Sequence, residues 1–434
     1  MTRAKIAKTL LTLPLLSAQL LACQPADGQN PAQPGQPGSL KTLSAPSAAE
    51  LQSLRSSELP EANTRFALAF FGDLLNETPR ENVFISPLSL SIALSMLYQG
   101  ASGETRQEIA DALRYSGLSE AEINAGNLTL RKRLQNSGKG VTVQIANALW
   151  GKAGLSFNAG FLSRNQAFYD ARLEALDFGS ATAVARINQW ASDNTNGLIP
   201  KVIEEIDPMT ILILMNAIYF KGDWSEPFEA SQTQERSFYK ADGTTLEHPM
   251  MQRYDKFRYT NNTDAGFEAV SLPYGEAEET EMILLLPHAG KDLASLRDQL
   301  TPENWQSWLS SLRSRDGSVT LPKFKLKTER QLNDTLRRLG MVKAFSEAEA
   351  EFDSLLDNSP LKAYVSEVKQ DAFIDVNEKG TEAAAVTTIT VGATSIQLPQ
   401  EPFEMVLDRP FLYAIYDRAT ESLLFMGALN SPEL

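Results

Sequence analysis

Residues 372–385 read Ala372-Phe373-Ile374-Asp375-Val376-Asn377-Glu378-Lys379-Gly380-Thr381-Glu382-Ala383-Ala384-Ala385. Two patterns meet at Gly380. Before it, Ala372, Ile374 and Val376 are apolar on even positions, with Phe373, Asp375 and Asn377 between them, the period of a strand with one buried face. Glu378-Lys379-Gly380 breaks this alternation, and glycine permits a sharp change of direction. Beyond it the phase flips. Thr381, Ala383, Ala385, Thr387, Ile389, Val391 and Ala393 make an uncharged odd side, opposite Glu382, Ala384, Val386, Thr388, Thr390 and Gly392. No proline falls between Thr381 and Leu398, so nothing blocks a hydrogen-bonded ladder. The small residues at the start would fit between two existing strands. The plain reading is an ordinary strand or a surface loop. Yet no charge lies between Glu382 and Glu401, and an exposed, uncharged, β-prone stretch is an aggregation hazard. A strand held in reserve accounts for the pattern better than an idle loop.

Outward from this stretch, helical and strand periods interleave. Ser86-Pro87, followed by Leu88, Ile92, Leu94, Met96 and Leu97, predicts a helix capped by serine with proline in its first turn. Ser102 begins another, with Ile109, Ala110 and Leu113 on one side. Val141, Val143 and Ile145 alternate with polar or small residues as a strand. Thr210 to Phe220 is almost wholly apolar, like a central strand covered on both faces. Ala269–Leu272 and Met282–Leu286 read as strands around an acidic turn. Leu332–Leu339 reads as a helix stopped by Gly340. Phe411–Ile415 and Leu423–Leu429 form a hairpin around Arg418-Ala419-Thr420. No repeat and no second linker interrupts the chain after about residue 48. The body is one mixed α+β unit with a large sheet.

Composition removes most alternatives. The chain has 434 residues, 43% of them hydrophobic, enough for a sizeable core; length alone would suggest two or three domains. A net charge of −14 argues against a nucleic-acid partner, which needs a basic patch. No apolar run in the body is long enough to span a bilayer. One cysteine rules out an internal disulfide and multi-cysteine metal sites, and two histidines, His248 and His288, leave little for histidine catalysis or a His-rich metal site. No cofactor and no metal are expected. Ser366-Glu367-Val368-Lys369 fits a serine–lysine nucleophile pattern, but it sits on a predicted strand and lacks the companion elements. An enzyme is not expected.

Residues 1–22 read as an export signal, with Arg3, Lys5 and Lys8 before an apolar stretch from Leu10 to Leu21. Leu20-Leu21-Ala22-Cys23 looks like a bacterial lipobox, which makes Cys23 the lipidated mature N-terminus; a core cysteine behind a plain secretory signal is the bland alternative. Cleavage there removes three positive charges and takes −14 to −17. Residues 23–47, rich in Pro, Gly, Gln and Ser after the cysteine, read as a flexible tether. The expected address is the bacterial cell envelope, on a periplasmic or cell-surface face, or extracellular without lipidation. Membrane contact is expected only through the lipid.

The run Glu378-Lys379-Gly380-Thr381-Glu382-Ala383-Ala384-Ala385 resembles the reactive-loop hinge of the serpin family. Asn82-Val83-Phe84-Ile85-Ser86-Pro87-Leu88-Ser89 is similar to the family's shutter-helix start, and Asn216 to Trp224, with Phe228, to its central strand and breach tryptophan. Leu321-Pro322-Lys323-Phe324, Arg409-Pro410-Phe411 and Phe425-Met426-Gly427 match further signatures in order, so the resemblance covers about residues 60 to 433. It implies an α+β serpin fold with a large mixed central β-sheet, additional sheets, about eight or nine helices and an exposed reactive loop near 378–403. The implied activity is suicide inhibition of serine proteases by a monomer. The protease is acylated on one loop bond, and the cut loop enters the main sheet before deacylation. Such insertion in serpins is itself an established example of strand addition and stored-strain release.

In inhibitory serpins the residue before the scissile bond stands sixteen places after the hinge glutamate, which from Glu378 gives Thr394–Ser395; the longer loop leaves Ala393–Thr394 and Ser395–Ile396 open. All three offer a small residue, implying an elastase-like or subtilisin-like target. Gln370 stands where many members carry a shutter histidine, and with Ser86 and Asn216 it can still hydrogen-bond across the sheet. Ser86, Ser89 and Asn216 also have a plain reading as caps and satisfied core polars, Trp224 as core packing, and Lys221 as a solvated charge. The competing function is a non-inhibitory serpin acting as carrier or chaperone; the small hinge residues Ala383, Ala384, Ala385 and Thr387 argue for inhibition.

Overall fold

The computed structural model describes residues 43–207, 210–357, 362–381 and 401–434. The chain runs through α1 (Ala48–Ser56), α2 (Leu59–Glu77), β1 (Val83–Ile85), α3 (Pro87–Tyr98), α4 (Gly103–Ala112), α5 (Glu120–Gln135), β2 (Val141–Lys152), α6 (Ala159–Tyr169), β3 (Arg172–Leu176), α7 (Ala181–Asn194) and β4 (Leu212–Asp223). It continues through β5 (Gln234–Tyr239), β6 (Thr245–Asn262), β7 (Phe267–Tyr274), β8 (Thr280–Pro287), α8 (Leu293–Arg297), α9 (Pro302–Ser311), β9 (Arg313–Pro322), β10 (Phe324–Gln331) and α10 (Asn333–Arg338). Last come β11 (Lys369–Asn377), β12 (Gly380–Thr381), β13 (Phe403–Val406), β14 (Phe411–Asp417) and β15 (Ser422–Leu429). The described residues thus hold ten α-helices, slightly more than expected. Short ones such as α8, with five residues, leave almost no periodic trace in a sequence.

The strands form two sheets. One has six strands in the order β10–β11–β12–β4–β2–β3, antiparallel except for the β2–β3 pair. The other has nine, in the order β1–β15–β14–β8–β7–β6–β9–β13, with β5 on β6. Helix α3 is buried along its whole length and packs against β4 of one sheet and β15 of the other. A helix apolar on nearly every side needs such a position. Most apolar side chains join one large core; a smaller one, with Trp150, Ala217, Ile187 and Trp190, lies between α7 and the six-stranded sheet.

Several local readings reappear as geometry. Ser86 caps α3, accepting a hydrogen bond from Ser89 N at 3.3 Å. Gly340, at φ +106°, follows α10 in a backbone region that favours glycine. In β11 the even residues Gln370 to Val376 are buried. Strand β4 departs from its reading: Phe220 and its neighbours are buried, but Ile213 to Asn216 are only half-covered. Those four residues border a gap in the sheet, described below, so the strand is not enclosed along its full length.

The described residues from 43 onward belong to one compact unit, and residues 1–42 lie outside the described residues. Cys23 and the signal segment fall there. At the end of the segment read as tether, Leu43 N donates to Gln135 Oε1 at 3.2 Å, and Ser47 caps α1 in a reciprocal pair with Glu50.

Candidate functional site: a two-residue stub in the six-stranded sheet

Strand β12 is only two residues long and lies between β11 and β4, antiparallel to both. Gly380 pairs with Asp223 and Thr381 with Gly222 on one side; the same two residues pair with Asn377 and Val376 on the other. Below this stub, among the described residues, no ladder joins β4 directly to β11. The sheet is therefore unzipped below the stub: among the described residues β4 and β11 come within 8 Å of each other between Cα atoms without forming a ladder, and this unpaired stretch is the gap referred to below. Strands β4 and β11 run parallel, so a longer β12 would satisfy both by continuing its antiparallel course.

The stub is held by a cluster of aromatic and charged groups. Trp224 N donates to Lys379 O and Phe228 N to Glu378 O, each at 2.8 Å. The indole Nε1 of Trp224 donates to Asn377 O at 3.0 Å, and the ring stacks on Tyr274 at 4.3 Å between centroids and 11° between planes. The Tyr274 hydroxyl shares a 2.7 Å hydrogen bond with Thr381 Oγ1. Burial pushes the Tyr274 phenol well up, so it stays protonated. Glu378 accepts from Thr233 Oγ1 at 2.8 Å and pairs with Lys323 Nζ at 3.0 Å. Burial pushes the Glu378 carboxyl up, but these donors and the backbone outweigh it and hold it below the usual carboxylate range. Gly380 has φ +151°, and an added Cβ would collide with the carbonyl oxygen of Gly222.

Behind the middle of the gap lies a second polar cluster. The Gln370 side chain accepts from Ser86 N at 2.8 Å and donates to Ser86 O at 2.9 Å, while Ser86 Oγ donates to Leu424 O at 2.6 Å. Ser89 Oγ donates to Asn216 Oδ1, and Asn216 Nδ2 to Asn147 Oδ1 at 2.8 Å. Strand β11 is thus tied to the start of α3 and, through Ser86, to β15, whereas β4 is tied to α3 and β2. Capping and cross-sheet bonding coexist at Ser86.

The structure therefore brings Glu378, Gly380, Thr381 and Trp224 together at the top of the gap, and Ser86, Ser89, Asn216 and Gln370 behind its middle. Glu382, Ala383, Ala384, Ala385 and the bond candidates Ala393, Thr394, Ser395 and Ile396 lie outside the described residues. Ser366 precedes β11 and Lys369 begins it, so neither lies on a helix; Ser366 O accepts from Asn333 Nδ2, at the start of α10, at 2.8 Å. Tyr274, Thr233 and Asn147 were not singled out from the sequence. Each acts through long-range pairing that no local pattern announces; the signal available for Tyr274 was a tyrosine closing an apolar strand beside Gly275, because a buried hydroxyl needs a partner.

Residues 61–432 match the family model Serpin (serine protease inhibitor). The chain belongs to the serpin family. It is 34% identical to antithrombin-III of Homo sapiens over 392 residues, covering 88% of this chain and 84% of that protein. It is 36% identical to leukocyte elastase inhibitor of Bos taurus over 385 residues, covering 86% and 100%. Among solved structures, a thermophilic serpin, tengpin, in the native state superposes with a TM-score of 0.79 at 28% identity, covering 87% of this chain and 95% of that one. Human thyroxine-binding globulin complexed with thyroxine superposes at 0.78 and 28%, covering 88% and 100%. The serpin fold of this chain is the α+β architecture of two sheets and ten described helices given above.

Proposed function

We propose that this serpin is a suicide-substrate inhibitor of serine endopeptidases. The observation that carries the reading is β12: two residues already seated between β11 and β4, with no direct ladder between those strands below them. A target protease attacks one bond of the segment after Thr381. Its serine Oγ becomes esterified to the residue before that bond, and the amine end departs. The severed segment, still joined to the stub, then extends β12 down the gap. Roughly a dozen new ladder bonds at ~1 kcal/mol each give on the order of 10 kcal/mol. That is comparable with the stability of a protease, about 5–15 kcal/mol, so the attached enzyme can be distorted before water cleaves the ester.

Thr394–Ser395, with Ala393–Thr394 and Ser395–Ile396 as neighbours, puts a small side chain in the primary pocket of the protease. Similarity to leukocyte elastase inhibitor supports an elastase-like target, and a subtilisin-like one fits the same chemistry. Incubation with elastase, subtilisin, trypsin and chymotrypsin, followed by denaturing electrophoresis, tests this. An elastase or subtilisin complex stable to denaturant is expected, and the mass of the released C-terminal peptide gives the bond. Complex formation with trypsin alone would overturn the target class.

The second reading, a carrier serpin, draws on the likeness to thyroxine-binding globulin. Its small hinge residues speak against it. The reading also includes export and lipid anchoring through Cys23, with the monomer facing away from the membrane; a diacylglycerol-modified N-terminal peptide in mass spectra is the expected result.

A further inference from the structure

The middle and lower part of the β4–β11 gap opens into a cavity of about 310 Å³, reaching under the end of α7 and the chain that follows it. This is near the small end of the range for ligand sites. Its walls include Trp190, Ile203 and Ile213, and two of these, Trp190 and Ile203, belong to the small core beneath α7. The rim is acidic, with Glu205, Glu367 and Asp371 against Lys369.

Asp371 stands apart from the other acids. It is 9% exposed, it lines the cavity, and it has neither a hydrogen bond nor an ion pair among the described residues. Its cross-strand neighbour on β10 is Glu329, a like charge. Burial first, then Glu329, pushes the carboxyl up to about 6; Lys369 and Lys327 pull the other way, and Glu367 adds to the rise. An ionised carboxylate without donors in such a place is costly. A cation delivered to it would recover part of that cost, while an apolar body would fill the space beside Trp190.

We propose that this cavity binds a small amphipathic organic cation, its ammonium on Asp371 and its aryl or alkyl body against Trp190 and Ile213. The consequence for inhibition rests on the insertion reading above. Continuing the register of β12, an occupant stands where residues 386–390 of an inserting strand would pair, so insertion stops short. Water then attacks the acyl ester: a carbon–oxygen bond to water forms, the bond to the protease serine Oγ breaks, and the serine regains its proton. The loop is left as a carboxylate, and the serpin behaves as a substrate.

The test uses 4-phenylbutylamine and its uncharged counterpart 4-phenyl-1-butanol, titrated calorimetrically into the full chain at pH 7.5. One saturable site for the amine is expected, with the alcohol at least ten-fold weaker. Asp371→Asn should reduce the amine to the alcohol's level, and Asp371→Glu should keep it. Equal binding of the two probes, an unchanged amine affinity in Asp371→Asn, or no saturable binding overturns the site. In a second arm, saturating amine should at least double the fraction of serpin cleaved without complex by an elastase, in the wild type but not in Asp371→Asn. Binding without that change overturns the blocking consequence. Absence of any complex without amine overturns the inhibitory reading instead, and the calorimetry still decides the cavity.

Discussion

Gln370 bridges the amide and the carbonyl of Ser86 with one side chain. Its amide is both acceptor and donor, so it reaches the amide and the carbonyl of Ser86 together, at 4% exposure. Gln370→Ala removes both bonds and strands the buried Ser86 amide, while Ser86 O keeps its bond from Leu90 N, an expected loss of about 2 kcal/mol, read as a lower urea midpoint. Its neighbour Asp371 points the other way energetically. The folded carboxyl titrates at about 6, above its ordinary value of 3.8. The folded state therefore holds the proton more tightly between those values, and stability falls as pH rises through that window. Above pH 7 the full penalty applies, about 2–3 kcal/mol. Asp371→Asn should raise the urea midpoint at pH 7.5 and converge with the wild type near pH 4. Equal midpoints at pH 7.5 would show that the carboxylate finds a partner in solution. The bonding of Gln370 to Ser86 was anticipated from the family resemblance, whereas the isolation of Asp371 was not legible, because strand alternation puts residues 370 and 371 on opposite faces without saying what faces them.

Strand β11 and the turn after it were legible for a simple reason: period-2 alternation and a glycine are local signals, and both act locally here. The stub β12 was not, because its partners β4 and β11 meet only through the sheet order, and its clasp comes from β7, β9's far end and the chain after β4. Half-burial of Ile213–Asn216 was hidden likewise, since an apolar run looks the same whether one neighbour is present or two. At this level Gly380 and Thr381 make a sharp prediction. Gly380→Ala drives a methyl into the Gly222 carbonyl, so the stub should lift from the gap. Loss of its contact with Tyr274 and Trp224 should expose the indole and shift its emission to the red. Thr381→Arg instead places a long cation in a site 2% exposed. Insertion then stalls at its first step, and a panel protease that the wild type traps should cleave this variant and remain active. A variant that still forms the stable complex contradicts insertion through this gap.

The two sheets share the buried helix α3, so widening the gap between β4 and β11 cannot be a local event. The bonds from Ser86 to Gln370 on β11 and from Ser89 to Asn216 on β4 tie both sides of the gap to the first turn of one helix. A strand entering between them must either stretch this pair of ties or move α3 against β15. That coupling sets a barrier to insertion: β12 separates β4 and β11 at the top, and the ties to α3 hold them at their present spacing behind the middle. Filling the gap completes ladders on both sides of a new strand. On the order of 10 kcal/mol is then released into a single cooperative unit, and the rise in melting temperature should reach about 20 °C. The measurement needs a protease that nicks the segment after Thr381 without being trapped, followed by calorimetric heating of intact and nicked chains. Heating also separates the two functional readings at the level of the molecule. A nicked chain that melts with the intact one has left its gap unfilled, which is the behaviour of a carrier whose loop never inserts. A nicked chain that survives well beyond it, and that no longer binds a synthetic peptide of residues 381–394, has filled the gap with its own strand.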